Sequence, residues 1–130
     1  MKSLVSLTLL LSLLPVFSAA EVKGNWKRHV VWEGLRNNVA VAADFTGDSK
    51  IDIISNAGGK TRLFIAPNWK EVIIGDHKDH TFIHGETMDV DGDGDADFIG
   101  ARYKPGLIVW FEQPNKNHTG GPWRARIAED

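Results

Sequence analysis

Five aspartates alternate with small or apolar residues in one short stretch, residues 89–97, which read DVDGDGDAD. Negative charges this close repel one another, and a hard cation with oxygen ligands would convert that repulsion into binding. Calcium loops take side chains at positions 1, 3 and 5, a backbone carbonyl at position 7 and a carboxylate at position 9, with Gly at position 6 for the turn. This spacing predicts a calcium site whose ligands are Asp89, Asp91, Asp93, the carbonyl of Asp95, and Asp97.

The flanks of this stretch, which we call the second loop, distinguish it from an EF-hand. An EF-hand needs a bidentate Glu at position 12 and a helix on each side. Position 12 is Gly100, and neither flank has apolar residues spaced three and four apart. We therefore expect the loop to connect two strands. The alternative is an acidic, solvated turn that holds no metal.

The first twenty residues have the pattern of a secretory signal peptide. Basic Lys2 precedes a nearly unbroken apolar run from Leu4 to Phe17, and small residues follow up to Ala20. The run is too short to span a membrane and no stop-transfer pattern follows it. We expect cleavage near Ala20 and a secreted, periplasmic or cell-surface location for residues 21–130.

Composition and charge limit the class of partner. The chain has 130 residues, of which 42% are apolar and 25% charged, so one modest domain remains after the leader. Its net charge is −2, and loss of Lys2 makes it more negative, which argues against nucleic acid or an anionic membrane as partner. The sequence contains no cysteine, so bound calcium is the available stabilising crosslink for a small exported domain.

The acidic loop has a weaker copy earlier in the chain, the first loop, residues 44–52, which read DFTGDSKID. Aligning the two loops at an offset of 45 residues places Asp on Asp at positions 1, 5 and 9, and Gly on Gly at position 4. A β-rich segment led by tryptophan recurs as well, starting at Trp26, Trp69 and Trp123. The period predicts two repeats, at about 38–75 and 82–130.

Each repeat reads as four short strands: one enters the acidic loop, one leaves it, one is an apolar run, and one starts at the tryptophan. Residues 58–60 and 104–106 contain Gly and Pro and fall at the turns between the second and third strands. Four antiparallel strands in about 45 residues are typical of a β-propeller blade. We therefore predict an all-β partial β-propeller with two four-stranded blades and one extra strand over residues 26–31.

Two blades are too few to close a propeller, which takes about four to eight. A two-blade unit leaves apolar faces and strand edges open. We expect this segment to be part of a larger propeller. The alternative is a short protein whose copies self-associate through the open blade edges.

The two loops resemble those of the FG-GAP/VCBS family of calcium-loop propeller repeats, found in integrin α-subunit heads and in many secreted bacterial proteins. The resemblance rests on the DxDGDGxxD pattern from Asp89 to Asp97 and its copy at Asp44, and covers nearly all of residues 26–130. It implies an adhesion, ligand-binding or scaffold role with an extracellular protein or carbohydrate as ligand. Some members are attached to polysaccharide-degrading enzymes, so the alternative is the non-catalytic or accessory propeller part of a carbohydrate-active enzyme such as a polysaccharide lyase.

The resemblance also implies a second calcium ion in the first loop. Its ligands would be Asp44, Thr46, Asp48, the carbonyl of Lys50, and Asp52. Thr46 supplies a hydroxyl where a charged ligand is usual, and Lys50 adds an ammonium nearby. We expect calcium to bind there at least about tenfold more weakly, a difference of about 1.4 kcal/mol. A turn held by hydrogen bonds without metal is the alternative.

The sequence contains no recognisable catalytic arrangement. It has no Gly-x-Ser-x-Gly elbow, no His-Glu-x-x-His motif and no thiol. We expect His77 and His80 to lie in the connection between the blades and His84 in the next strand, rather than together at a transition metal. Glu86 and Glu112 are not expected to form a glycosidase pair. We therefore predict a protein that is not an enzyme.

The aromatic residues and one rim segment have simpler interpretations. Trp32, Trp110 and Phe111 could stack on sugar rings if exposed, but we expect them to pack between blades. Residues 117–119, Asn-His-Thr, fit an N-glycosylation acceptor in the loop before the last strand.

Overall fold

The computed structural model describes residue 24 and residues 27–115 and 120–128. This part of the chain forms eight β-strands and no helix, which confirms the all-β prediction. It therefore contains no helix that is long and apolar enough to cross a bilayer. The predicted signal peptide and the predicted glycosylation acceptor at 117–119 lie outside the described residues.

The first repeat folds into sheet 1, an antiparallel sheet in which each strand pairs with the next along the chain. Its strands are β1 (Val39–Ala43), β2 (Asp52–Ala57), β3 (Lys60–Ile65) and β4 (Lys70–Asp76). Gly58 and Gly59 form the turn between β2 and β3 with φ angles of 61° and 80°. Two positive φ angles in a two-residue hairpin are the geometry that a Gly-Gly pair favours. The first loop joins β1 to β2.

The second repeat folds into sheet 2 with the same order of strands. Its strands are β5 (Phe82–Met88), β6 (Asp97–Arg102), β7 (Ile108–Glu112) and β8 (Arg124–Ala128). The second loop joins β5 to β6, and the predicted turn at 104–106 lies between β6 and β7. The prediction of two four-stranded antiparallel units is confirmed.

The predicted extra strand is wrong over residues 27–31, the part of it that the structure describes, because these residues form no strand. The segment instead lies on the outer face of sheet 1, the face turned away from sheet 2. The ring centroids of Trp32 and Phe64 are 6.5 Å apart, and the Arg62 guanidinium lies 4.6 Å from the centre of the Trp32 ring. Trp32, which directly follows the segment, therefore packs on a sheet face, and residues 27–31 do not pair with a sheet edge.

The core lies between the two sheets. Sheet 1 contributes aliphatic residues such as Ile54 and Leu63, and sheet 2 contributes Phe82, Phe98 and Phe111, all at most 1% exposed. Burying a side chain of this size contributes about 1.5–3 kcal/mol. The separation of the sheets relies on small residues as well: a Cβ on Gly85 would come within 2.5 Å of Val39 Cγ1, and one on Gly75 within 2.5 Å of Phe111 Cε1.

The two sheets pack through non-equivalent faces. When the repeats are aligned on Asp52 and Asp97, Ile54 of sheet 1 corresponds to Ile99 of sheet 2. Ile54 packs in the shared core, whereas in sheet 2 it is the neighbouring residue, Phe98, that does so. The side of sheet 2 that carries Ile99 is turned away from sheet 1. The face that sheet 1 turns toward sheet 2 is therefore equivalent to the face that sheet 2 turns away from sheet 1. Such a head-to-tail contact is heterologous in the sense used for oligomers.

Hydrogen bonds between described residues join the sheets around this core. The amide of Trp123 donates to the carbonyl of Ile74 at 2.8 Å, and the amide of Phe82 to Asn56 Oδ1 at 3.3 Å. Gln113 Nε2 donates to the carbonyl of Phe45, inside the first loop, at 3.0 Å. These bonds satisfy buried polar groups at the junction and fix how the sheets meet.

Candidate metal centre

The second loop follows directly from β5 and ends at the first residue of β6. Gly92 and Gly94 have φ angles of 80° and 95°, in the left-handed region where glycine is favoured. The turn directs the Asp89 carboxylate back onto the amides of the loop. It accepts hydrogen bonds from Gly92 at 2.7 Å, Asp93 at 3.1 Å and Gly94 at 3.0 Å.

Three of the predicted ligands converge. One carboxylate oxygen from each of Asp89, Asp91 and Asp97 lies within 4.8 Å of the others. Oxygens on opposite sides of a calcium ion, each about 2.3–2.6 Å from it, are about 5 Å apart, so the group has the size of a calcium site. Hard carboxylate oxygens are also the donors that calcium prefers.

Asp97 is the rigid member of this group. It is 1% exposed, and its two oxygens accept hydrogen bonds from the amide of Val90 at 3.0 Å and the amide of Gln113 at 2.8 Å. Each carboxylate oxygen has a second lone pair, which leaves it able to bind a cation as well. The Asp97 carboxylate therefore joins the loop to the residue after β7.

The remaining two predicted ligands stand apart from this triad. The Asp93 carboxylate accepts a hydrogen bond from the amide of Asp95 at 3.0 Å. Its side chain is not in the convergent group, and Asp95 was predicted to contribute only its carbonyl. The structure thus brings together positions 1, 3 and 9 of the loop, and binding by positions 5 and 7 stays a prediction.

Electrostatics within the loop favour a cation. Partial desolvation and the neighbouring Asp93 carboxylate raise the pKa of Asp91 above its ordinary value. A raised carboxyl pKa means that the surroundings of Asp91 disfavour its charged form. A bound cation would reverse this effect.

The first loop has the same backbone geometry. Gly47 and Ser49 take φ angles of 69° and 65°, matching Gly92 and Gly94. The Asp44 carboxylate accepts hydrogen bonds from the amides of Asp48 at 3.0 Å and Ser49 at 2.7 Å. The loop therefore keeps its shape although Ser49, which lacks the freedom of glycine, occupies position 6.

Two features of the first loop bear on metal binding, and they oppose each other. Lys50 Nζ forms an ion pair with Asp48 at 2.6 Å, which lowers the pKa of Asp48 and raises the pKa of Lys50. A predicted ligand is thus already paired with a cation. In contrast, Asp52 Oδ2 is buried without a hydrogen-bond partner in the part of the chain that the structure describes. A buried carboxylate oxygen without a partner is costly, and a cation would satisfy it.

The histidines lie where the sequence predicted: His77 and His80 are in the connection from β4 to β5, and His84 is in β5. The sequence reasoning missed that two of them meet: the rings of His77 and His80 are 4.8 Å apart. His80 also packs on Phe82 and Phe111, each with its ring centroid 5.7 Å away. Burial, then the neighbouring His77, lowers the pKa of His80 below 6.5.

The other candidate groups have structural partners. Glu112 accepts a hydrogen bond from Arg126 Nε at 2.7 Å, and the Arg126 guanidinium lies 5.1 Å from the centre of the Trp110 ring. Phe111 is 1% exposed in the core, so its predicted packing role is confirmed. No sequence signal identified Gln113, which links the sheets.

Comparisons with known proteins leave the family open, because no family model, no curated protein and no solved structure matches the chain.

Proposed function

We propose that this chain is an exported calcium-binding repeat module of the FG-GAP/VCBS type, without catalytic activity of its own. In this proposal it forms part of a larger β-propeller and contributes to adhesion, ligand binding or scaffolding outside the cell. The observation that carries the proposal is the convergence of the carboxylates of Asp89, Asp91 and Asp97. Its cofactor is calcium, bound tightly in the second loop and weakly in the first.

The hydrogen bonds of Asp97 support a structural role for the ion. Asp97 is bonded to the amide of Gln113, and the Gln113 side chain reaches the carbonyl of Phe45 in the other sheet. An ion held by Asp97 is therefore two hydrogen bonds away from the junction of the sheets. Calcium would stabilise the second loop and, through Gln113, the contact between the repeats.

The head-to-tail packing of the sheets supports the propeller. Because opposite faces of the repeat meet, a third repeat could pack on sheet 2 as sheet 2 packs on sheet 1. The face of sheet 2 that would contact the third repeat is the one turned away from sheet 1, and it carries Ile99 and Trp110, both half-buried. Val90 supports the same arrangement: it is 38% exposed, whereas its counterpart Phe45 is fully buried, with Trp123 6.3 Å away.

Calcium titration tests the proposal. Isothermal titration calorimetry of the protein, stripped with EDTA, should show one tighter site and one that is weaker or absent. The melting temperature should rise with calcium, because an ion that binds only the folded state stabilises it. Two equal sites, or a melting curve unchanged by calcium, would contradict the proposal.

The ligand and the location need separate tests. Binding to arrayed extracellular glycans and matrix proteins, compared in calcium and in EDTA, tests the binding role, and failure to bind either class would count against it. N-terminal sequencing of the protein from the culture medium or periplasm tests export. We expect the mature chain to begin at Glu21.

A further inference from the structure

A cleft of about 720 Å³ lies at the end of sheet 2 that is remote from the acidic loops. It is bounded by the connection between β4 and β5 and by the turn between β6 and β7. Its lining residues are Lys78, Asp79, Thr81, Arg102, Lys104 and Pro105. Strand β6 starts at Asp97 and ends at Arg102, which separates the cleft from the second loop by roughly 17 Å at about 3.3 Å per residue.

The cleft is positively charged. Three of its six lining side chains are cations, and one, Asp79, is an anion. Some lysines elsewhere in the chain form ion pairs, for example Lys50 with Asp48 and Lys60 with Asp76. None of the three cleft cations lies within ion-pair distance of a carboxylate in the described residues. Their charge is available to a ligand.

The fold orders the Arg102 side chain and the backbone of the two connections that carry the lysines. Arg102 Nη1 donates a hydrogen bond to the Asp79 carbonyl at 2.6 Å, so the guanidinium is oriented by a neutral group that leaves its charge intact. The amide of Arg102 donates to the carbonyl of Leu107 at 2.9 Å and closes the turn that carries Lys104. The connection that carries Lys78 is closed in turn by the amide of His80, which donates to the carbonyl of His77 at 2.8 Å. Groups ordered before binding lose less entropy when a ligand arrives.

We propose that this cleft binds a tetrahedral oxyanion group, the phosphate or sulfate ester of a larger ligand. A planar guanidinium and flexible ammonium groups are the side chains that suit tetrahedral oxyanions, and Thr81 adds an exposed hydroxyl donor. The cleft has the size of a small-molecule site, which is about 300–1,000 Å³. The inference adds a ligand class to the proposed binding role but requires no calcium, because the acidic loops lie at the other end of the sheets.

The test is an NMR titration of the ¹⁵N-labelled protein with inorganic phosphate and with inorganic sulfate at pH 7.5 and constant ionic strength. Acetate, whose carboxylate is planar, serves as the comparison anion that is not tetrahedral. We expect saturable shifts of the amide signals of Thr81, Arg102 and Lys104 with phosphate or sulfate, and no saturation with acetate. The anion with the higher affinity shows which of the two tetrahedral groups the cleft prefers at nearly equal charge. Sulfate is titrated in EDTA and again in calcium.

Matched variants assign the binding to this cleft. Lys78→Gln and Lys104→Gln should each weaken the affinity about threefold to fivefold, the effect of one exposed charge. Lys70→Gln, at the opposite end of sheet 1, removes the same charge from an exposed position and should leave the affinity unchanged. Both test positions are exposed, so the variants should fold.

The outcomes separate the two proposals. Linear shifts without saturation, equal binding of acetate, or equal effects of the three lysine substitutions would overturn the oxyanion site. Saturable sulfate binding in EDTA, in a protein that binds no calcium, would support this site and refute the calcium proposal. Calcium binding without saturable sulfate binding would support the calcium proposal and refute the oxyanion site.

Discussion

Asp52 and Asp97 occupy the same place in the two repeats, and one hydrogen bond distinguishes them. Both are buried at position 9 of an acidic loop, and both accept a hydrogen bond from the amide of the residue that follows the third strand: Ala66 at 2.8 Å for Asp52 and Gln113 at 2.8 Å for Asp97. Asp97 accepts a second bond from the amide of Val90, whereas Oδ2 of Asp52 has no partner among the described residues. The equivalent amide, of Phe45, donates to the carbonyl of Ala43 instead.

This difference predicts unequal effects on stability. A hydrogen bond to a charged group contributes about 1.5–3 kcal/mol, so Asp97→Ala should lower the free energy of unfolding by about 3 kcal/mol or more, and Asp52→Ala by about half as much. Urea denaturation in EDTA measures both values without any contribution from calcium. Equal losses for the two variants would show that the second bond of Asp97 adds nothing.

The triad geometry predicts which aspartates of the second loop matter most for calcium. Asp91→Asn removes a charge from the convergent group and should abolish most of the rise in melting temperature that calcium produces. Asp95→Asn removes the same charge from the same loop but from outside the group, so most of the rise should remain. Differential scanning calorimetry at increasing calcium concentrations compares the two variants.

The EDTA scans provide the control for this pair. The Asp91 carboxylate is exposed, and the hydrogen bond that it accepts from the amide of Asp93 is long, at 3.3 Å. The metal-free melting temperatures of the two variants should therefore lie close together. If Asp95→Asn weakened calcium binding as much as Asp91→Asn, the total charge of the loop and not the triad would determine affinity.

The ion pair between Lys50 and Asp48 predicts a gain of function in the first loop. Lys50→Gln removes the ammonium that competes with a metal for Asp48, while the Lys50 carbonyl position is kept. We expect calcium affinity at the weaker site to increase about threefold to tenfold, corresponding to about 0.7–1.4 kcal/mol. Isothermal titration calorimetry resolves the two sites, and the tighter site serves as the internal standard. An unchanged weak site would show that Lys50 does not limit binding.

His80 predicts a dependence of stability on pH. Its pKa is lowered in the folded state by burial, by His77 and by Arg102, and Asp79 offsets only part of this lowering. The unfolded chain therefore binds a proton on His80 more readily, and stability is lost as the pH falls from 6.5 toward the lower folded pKa. Well above pH 6.5 both states are neutral and this contribution is constant.

A matched pair of variants isolates the effect. His80→Phe keeps an aromatic ring against Phe82 and Phe111 but cannot be protonated, so its melting temperature should fall less between pH 7.5 and pH 5.5 than that of the parent. His77→Phe changes a neighbouring histidine that is more than half exposed and should keep most of the parental slope. If the melting temperature of His80→Phe depended on pH as strongly as that of the parent, a group other than His80 would be responsible for the effect.

The strand order was predictable because the repeat was visible in the sequence. Alignment of Asp44 with Asp89 located both loops, and the Gly58–Gly59 pair marked the hairpin between β2 and β3. These signals are local, since turn conformation and alternating apolar residues depend on neighbouring positions. They set the order of elements within each sheet.

Contacts between distant residues were not predictable. The Gln113 side chain meets Phe45 across 68 positions, and Lys78 and Lys104 share a cleft only because two connections end at the same side of the sheet. The error over residues 27–31 has the same origin, since an apolar pattern alone does not show whether a segment pairs with a distant sheet edge. Within the candidate site, spacing predicted the converging Asp89, Asp91 and Asp97, but it could not place Lys50 Nζ on Asp48.

The separation of Gln113 and Phe45 along the chain also has a consequence for the order of folding. The hairpin of β2 and β3 closes over two residues, whereas the Gln113 contact must close a loop of 68 positions, which costs more chain entropy. We expect each sheet to form early and the junction between them to form after the rate-limiting barrier. Gln113→Ala should then accelerate unfolding in stopped-flow experiments and leave the refolding rate nearly unchanged. During synthesis, all residues of sheet 1 are added before those of sheet 2, so sheet 1 is the first unit that the growing chain contains in full.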